Sequence, residues 1–189
     1  MTEQQLTILV VDDETDIADL YTTWLEMDHE VRTAYGGEKA LEHADEDVDI
    51  VFLDRQMPDY SGDEVLERIR ERRLDCRVVM VTAVDPDFDI VSMAFDDYLT
   101  KPVMREDLAE AVDSMREREE YDATLQEYFA LTSKKATLEA EKTPSELENS
   151  EEYQEMVDRV DELGAEADTA VAGFDDDYDS LFKEFPGGK

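Results

Sequence analysis

The sequence has little cysteine, and this limits the covalent chemistry open to it. Cys76 is the one cysteine among 189 residues, so no disulfide can form within the chain and no set of cysteines and histidines has the spacing of a zinc site. This usage fits a reducing compartment, and we expect a cytoplasmic protein. Walker and dinucleotide-binding glycine motifs are also missing, so the nucleotide-binding classes that depend on them are not indicated.

Long apolar runs are absent as well. No stretch approaches the roughly 18 consecutive apolar residues that read as a transmembrane helix. The N-terminal segment MTEQQ has no basic part followed by a long apolar part, so we expect no signal peptide. The sequence therefore predicts a soluble protein without a membrane partner.

Basic residues are scarce. Lys and Arg number 18 against 53 Asp and Glu, for a formal net charge of −35, whereas a small domain usually carries about 2 to 8 charges. Acid exceeds base in both parts of the chain, which fits a halophile protein whose self-repulsion is screened at high salt. An ordinary acidic cytosolic protein is the alternative. The C-terminal part shows no basic stripe of the kind that binds a phosphate backbone.

Polar residues follow four short apolar runs. The run over residues 6–11 precedes Asp12 and Asp13, and the later runs precede Asp54, Thr82 and Lys101. Because ligands of an open α/β sheet bind outside the carboxyl ends of its strands, these side chains are expected at one edge. Carboxylates held close together repel one another and need a cation, and oxygen ligands with a phosphoryl group suit Mg²⁺. The pattern predicts a metal-dependent phosphoryl acceptor.

Strand-like and helix-like segments alternate up to about residue 118, which predicts βα repeats and a parallel sheet. We place the strands at residues 6–11, 31–34, 50–53, 77–81 and 98–100. Helices are predicted near residues 14–27, from Gly36-Gly37, over 61–72 and after Lys101-Pro102, whereas the segment over 86–94 looks poorly formed.

Four motifs in a fixed order carry a family resemblance. VVDDE, LDRQMPDYSG, VMVTA and DDYLTKP together resemble the CheY-like receiver domain of two-component response regulators, over residues 5–118. The resemblance implies a flavodoxin-like, doubly wound five-stranded parallel sheet of order 2-1-3-4-5. It also implies a sensor histidine kinase as partner and Mg²⁺ as cofactor.

By this resemblance, Asp54 is the phosphoacceptor and its carboxylate forms an acyl phosphate. Asp13 would bind Mg²⁺ directly, Asp12 directly or through water, and Asp54 and the backbone carbonyl of Gln56 would complete the protein ligands. The alternatives are a strand-ending Asp54 that caps a loop and acids that begin a helix. The chain would then be no enzyme in the usual sense, although it would catalyse its own phosphorylation and dephosphorylation. An acid phosphatase with Asp54 as nucleophile is a competing hypothesis, which the receiver spacing and Lys101 disfavour.

Three further roles follow from the resemblance. Thr82 would donate a hydrogen bond to a phosphoryl oxygen, and Lys101 would pair with another. Tyr98 is the switch aromatic, whose ring turns inward when Thr82 moves toward the phosphate; a half-buried tyrosine that never switches is the alternative.

Some positions depart from the receiver pattern. Arg55 beside the acceptor is expected at the mouth of the site. Phe95 stands where many receivers have glycine, so we expect a reshaped loop before the last strand. His29 and His43 have no partner motif, and we expect surface roles for them.

The C-terminal part, residues 119–189, resembles the HalX domain through its acidity, its helical pattern and the stretch SEEYQEMVDRVDEL. A capping box at Thr143 and a possible cap at Ser150 predict two helix starts. An apolar seam then recurs at alternating spacings of three and four, which predicts an antiparallel helical hairpin or coiled coil. We expect the seam to pack on an earlier apolar face. The seam comprises Tyr153, Met156, Val160, Leu163, Ala167 and Ala170, and the earlier face comprises Tyr121, Leu125, Phe129 and Ala136.

Two output functions remain open for this helical domain. It would regulate transcription, through DNA or the transcription machinery, or it would bind a protein partner or a second copy without contacting DNA. A homodimer would use either the C-terminal helices or the face made by segment 86–94, the fifth strand and the helix after it.

Overall fold

A five-stranded parallel sheet organises the first part of the chain. The computed structural model describes residues 5–119 and 123–171, with side chains through 116 and from 123 to 165. The strands lie in the order β2-β1-β3-β4-β5 and all neighbours are parallel, which confirms the predicted doubly wound fold. They are β1 (Thr7–Val11), β2 (Glu30–Ala34), β3 (Ile50–Leu53), β4 (Arg77–Thr82) and β5 (Asp97–Thr100).

Four helices and one short 3₁₀ helix complete this α/β domain, which we define as residues 5–119. The poorly formed segment predicted before β5 is the 3₁₀ helix, Phe88–Ser92. The α-helices are α1 (Thr15–Leu25), α2 (Gly37–His43), α3 (Gly62–Glu71) and α4 (Arg105–Glu119).

The apolar core lies on both faces of the sheet, because successive strand residues point to opposite sides. Ile8, Val10 and Phe52 face a cluster that includes residues of α1 and α4. Leu9 and Val51 face a second cluster that includes residues of α3 and of the C-terminal helices. This two-sided burial explains why the strands read as continuous apolar runs rather than alternating patterns.

One residue that we expected on the buried face of α1 is exposed instead. Leu20, which we expected on the apolar face, is 45% exposed, whereas Ala18 is completely buried. Tyr21 and Leu25 are buried as predicted. A small residue at the inward position lets the helix lie close to β1 and β2.

The C-terminal helices form the predicted antiparallel hairpin, which we define as residues 123–171. Its helices are α5 (Ala123–Glu141), α6 (Pro144–Asn149) and α7 (Glu151–Val171). The Tyr153 hydroxyl donates to Glu139 at 2.8 Å, and the Arg159 guanidinium pairs with Glu127 at 3.0 Å. Later residues of α7 thus meet earlier residues of α5.

The caps and most of the seam agree with the prediction. Thr143 and Glu146 form the capping box, and the Ser150 hydroxyl accepts from the backbone N–H of Tyr153 at 3.2 Å. The seam residues Tyr153, Met156, Val160 and Leu163 are buried.

The predicted composition of the earlier apolar face, on α5, was partly wrong. Ala136 is exposed, and Leu138, two positions later, is completely buried in its place. The side chains of Tyr121, Ala167 and Ala170 and the segment 173–189 lie outside the described residues.

The hairpin packs back onto the α/β domain. Helices α5 and α7 both contact the 3₁₀ helix, and α5 also contacts β5. The hairpin therefore contacts one of the two faces that we considered for a homodimer. Among residues 5–119 and 123–171, no helix combines the length and the apolarity that a membrane crossing requires.

Candidate functional site

Three carboxylates meet at the carboxyl edge of the central strands. Val11 of β1 is in register with Leu53 of β3, so the residues that follow these strands emerge side by side. Asp12, Asp13 and Asp54 each offer an oxygen, and these oxygens all lie within 4.8 Å of one another. Asp12 is 2% exposed and Asp54 5%. Asp13 is partly buried. Such a cluster of mutually repelling oxygens suits a hard divalent cation.

Lys101 brings a positive charge to the same edge from β5. Its Nζ lies 2.6 Å from Asp12 Oδ2, 3.7 Å from Asp54 Oδ2 and 3.8 Å from Glu14 Oε1. Burial lowers the pKa of this ammonium, but the hydrogen bond to Asp12 and the charge of Asp54 outweigh it, so the net pKa is raised. These acidic partners hold Lys101 in its charged form, and its shortest contact is with Asp12. The Lys101-Pro102 peptide bond is cis.

Asp54 lies beside two hydrogen-bond donors. The Thr82 hydroxyl and the backbone N–H of Gln56 both act to lower the pKa of its carboxyl. Burial raises the pKa of Asp54, and the opposing charge of Lys101 only partly offsets this. The site therefore disfavours the ionised acceptor until further positive charge arrives. The backbone carbonyl of Gln56 as a metal ligand stays a prediction.

Gly62 fixes the loop that carries the acceptor. Its backbone N–H donates to the carbonyl of Arg55 at 2.8 Å, and a Cβ at this position would lie 2.1 Å from the backbone oxygen of Asp54. Only glycine allows so close an approach at the first residue of α3. The motif LDRQMPDYSG contains this glycine, but the sequence pattern alone does not show its role.

Tyr98 is buried and tied to the loop after β4. Its ring is 6% exposed, and its hydroxyl donates to the backbone carbonyl of Val84 at 2.7 Å. The N–H of Val84 in turn donates to the Thr82 hydroxyl at 3.3 Å. The predicted switch residue and the Thr82 hydroxyl thus share one loop.

Arg55 is clamped by acids rather than left open at the mouth of the site. The residue is 8% exposed, and its guanidinium donates to Asp63 at 2.9 and 3.0 Å and also to Asp89 of the 3₁₀ helix. Burial alone would lower the pKa of Arg55, but its acidic partners raise it above the ordinary value. Its charge is therefore largely taken up by these two carboxylates.

The two histidines lie away from this edge. His29 precedes β2 and His43 ends α2, so both lie toward the amino edge of the sheet, although we expected them at the surface. Both are partly buried.

Comparison with known proteins agrees with the geometry. Residues 8–113 match the family model described as the response regulator receiver domain, and residues 117–182 match the HalX domain. A putative transcriptional regulator of Haloferax volcanii is 45% identical over 175 residues, which are 92% of this chain and 30% of that protein. The response regulator SaeR of Staphylococcus epidermidis is 34% identical over 99 residues, or 50% of this chain and 43% of SaeR. The chain thus spans less than half the length of either relative.

Solved structures show the same likeness. The response regulator TrrA of Thermotoga maritima, in complex with Mg²⁺ and BeF, superposes with a TM-score of 0.53 at 36% identity, covering 59% of this chain and 99% of TrrA. A CheY-like receiver domain from Methanospirillum hungatei gives a TM-score of 0.55 at 29% identity, covering 61% of this chain and 98% of that one. The chain belongs to the response regulator receiver family, and its receiver is followed by a HalX domain.

Proposed function

We propose that the chain is a phosphorelay response regulator whose Asp54 accepts a phosphoryl group from a sensor histidine kinase. The observation that carries this proposal is the cluster of Asp54 with Asp12 and Asp13, with the Lys101 ammonium beside it. Phosphoryl transfer needs positioning and charge neutralisation more than acid–base chemistry, and these residues supply both.

The chemistry at Asp54 follows from its neighbours. A carboxylate oxygen of Asp54 attacks the phosphorus in line, and the bond from phosphorus to the kinase histidine breaks with its electron pair leaving on the histidine nitrogen. The Thr82 hydroxyl and the Lys101 ammonium meet the phosphoryl oxygens. Asp12, Asp13, Asp54 and the Gln56 carbonyl would hold Mg²⁺, which when bound offsets phosphoryl charge.

The role is that of a stoichiometric acceptor rather than of a hydrolytic enzyme with external substrates. Lys101 supports this reading, because an ammonium fixed 2.6 Å from Asp12 and 3.7 Å from Asp54 stabilises a retained phosphoryl group. Self-catalysed phosphorylation from a small phosphodonor, and slow dephosphorylation, remain compatible with it.

Acetyl phosphate tests the proposal directly. In molar KCl with Mg²⁺, intact-mass spectrometry should show one added phosphoryl group per chain, and EDTA should prevent the addition. The cation dependence is expected because Asp54 and two further carboxylates share one site. A chain that stays unlabelled with Mg²⁺ present, or is labelled equally in EDTA, would contradict the proposal.

Mg²⁺ affinity should depend more on Asp13 than on Asp12. Both oxygens of Asp12 are already engaged, by the Lys101 ammonium at 2.6 Å and the Glu14 N–H at 2.9 Å. Among the described residues, no hydrogen bond or ion pair engages the Asp13 carboxylate. We expect Asp13→Asn to weaken binding roughly ten-fold or more, since Mg²⁺ tolerates loss of a direct ligand poorly.

Titration calorimetry of the two variants measures this difference. Asp12→Asn serves as the matched substitution, with the same loss of one charge beside the site. Equal Mg²⁺ affinity in wild type and Asp13→Asn would remove Asp13 from the ligand set.

For the output, we propose regulation of transcription, which the name of the Haloferax relative supports. One observation favours a protein contact over direct DNA binding. Of the four cations in the described hairpin, Lys134 is buried, Lys142 pairs with Asp87 at 2.8 Å and Arg159 pairs with Glu127 at 3.0 Å. The fourth cation of the described hairpin is Lys135, whose ammonium lies 3.6 Å from the Glu139 carboxylate.

A gel shift in molar KCl with genomic fragments should therefore show no retarded complex with the chain alone. Binding to phosphate backbones requires several available cations, and the described hairpin does not present them. A sequence-specific shift, lost when the hairpin is altered by Leu163→Asp, would instead establish direct DNA binding.

A further inference from the structure

We propose that the hairpin is the resident partner of the receiver surface around Phe95 and Tyr98, and that its docking there and phosphoryl occupancy of Asp54 strengthen each other. The inference rests on the proposed function, since it takes Asp54 as the acceptor. It assigns the HalX helices a binding site on their own receiver and gives the coupling a sign.

The centre of this contact is a buried lysine. Lys134 of α5 is 5% exposed. Its Nζ donates to the backbone carbonyls of Met93 and, at 3.4 Å, Val91, and it lies 5.0 Å from the centroid of the Phe95 ring. An ammonium is costly to bury without such partners. Burial lowers its pKa to about 8, and the carbonyls at the end of the 3₁₀ helix accept hydrogen bonds from the ammonium.

Polar contacts close the interface on both sides of Lys134. The Ser133 hydroxyl hydrogen-bonds Asp97 of β5. At the far end of α5, the Lys142 ammonium lies 2.8 Å from Asp87 and 5.4 Å from the centroid of the Phe88 ring. Between these ends, three apolar residues of the hairpin join the same core cluster as Phe95 and Tyr98, namely Leu138, Tyr153 and Met156.

This contact reaches the acceptor through few steps. The Phe95 ring, which Lys134 covers, lies 5.7 Å from the Tyr98 ring. The Tyr98 hydroxyl donates to the Val84 carbonyl, and the Val84 N–H donates to the Thr82 hydroxyl. This hydroxyl is the donor that lowers the pKa of Asp54. A second connection starts at Arg55, the residue directly after Asp54. Its guanidinium donates to Asp89 in the 3₁₀ helix.

The sign of the coupling follows from the position of Tyr98. In the docked arrangement, Phe95 is 2% exposed and packs on a buried Tyr98, so the hairpin favours the inward ring and the Thr82 position next to Asp54. A phosphoryl group on Asp54 also favours Thr82 in that position, because the hydroxyl can donate to it. Two events that favour one arrangement stabilise each other, and the effect is reciprocal in free energy.

Beryllofluoride, a phosphoryl analogue, tests this coupling in the full chain. With Mg²⁺ in molar KCl, ¹⁹F NMR gives the concentration for half-saturation. We expect Lys134→Met, which removes the ammonium and keeps the chain length, to raise that concentration about five-fold or more, the lower range of usual allosteric couplings. Lys135→Met is the matched control, because it removes the same charge from the next residue, whose side chain is 35% exposed and pairs within α5.

Two further measurements guard against trivial loss of folding. Lys142→Met weakens the same interface at its edge and should shift half-saturation in the same direction by less. In the wild type, beryllofluoride should slow backbone hydrogen exchange over residues 128–138.

The outcomes separate the two proposals. Unchanged half-saturation in both Lys134→Met and Lys142→Met, or faster exchange over residues 128–138 on beryllofluoride binding, would overturn the coupling while leaving Asp54 as acceptor. A wild type that neither binds beryllofluoride nor accepts phosphate would refute the proposed function, and the inference with it.

Discussion

Asp54→Asn should abolish labelling by acetyl phosphate. Asparagine keeps the size and the hydrogen-bond acceptor of the native side chain, but its amide cannot attack phosphorus to form an acyl phosphate. Asp12 and Asp13 are not expected to substitute for it, because the Thr82 hydroxyl and the Gln56 N–H act on Asp54 and Asp12 already pairs with Lys101 at 2.6 Å. Intact-mass spectrometry should show complete loss of the added phosphoryl group.

The matched control for this variant is Asp59→Asn. Asp59 lies five residues further along the same loop region, and its φ of 67° is a backbone conformation that asparagine tolerates well. It should be labelled as the wild type is. In the absence of divalent cations, Asp54→Asn should also melt at or above the wild-type temperature, since burial disfavours the charge that it removes. Labelling that survives in Asp54→Asn would refute the assignment.

Gly62→Ala should be among the most damaging single-methyl changes in the chain. The new Cβ would lie 2.1 Å from the Asp54 oxygen and 2.8 Å from the Arg55 Cα, and both are backbone atoms that cannot rotate away. The acceptor loop has to move, and we expect a loss of about 3 kcal/mol or more in the free energy of unfolding. Labelling should slow by roughly a hundred-fold, because a shift of about 1 Å misplaces the reacting oxygen.

Denaturant unfolding and the labelling rate, both in molar KCl, measure these effects. Gly164→Ala is the control, because among the described residues a Cβ there meets the Tyr128 ring alone, at an ordinary contact distance of 3.5 Å. In the interior of α7, alanine should be neutral or stabilising by up to about 1 kcal/mol. A Gly62→Ala protein as stable and as readily labelled as the wild type would show that the loop accommodates the methyl group.

The receiver fold could be predicted from the sequence because its signals are local. Five short apolar runs separated by helix-length segments specify a parallel sheet, whereas the order of its strands rests on the resemblance to receiver domains. The edge that gathers Asp12, Asp54 and Lys101 follows from that topology, since polar residues after parallel strands meet at one edge. Strand ends and helix caps were accordingly placed within about two residues of the observed ones.

Other features of the site could not be predicted, because they depend on contacts between distant residues. Arg55 and its partner Asp89 are 34 residues apart, and nothing near Arg55 in sequence indicates that its guanidinium turns to the 3₁₀ helix. Phe95 departs from the receiver pattern in the sequence, but only the fold shows that the Lys134 ammonium of α5 lies 5.0 Å from the centroid of its ring. The importance of Gly62 rests on a backbone approach that only the folded loop produces.

The docking of the hairpin on the receiver separates most clearly what the sequence determines from what only the tertiary structure decides. The sequence by itself determined that α5 and α7 are helices with an apolar seam, because capping residues and a three–four spacing act within a few turns. Only the tertiary structure decided what covers the other side of α5, which packs on α7 and on the receiver at once. A helix with two contact faces loses the single apolar stripe that periodicity detects. Lys134 then reads as a surface residue, although burial against the Val91 and Met93 carbonyls makes it the centre of the interface.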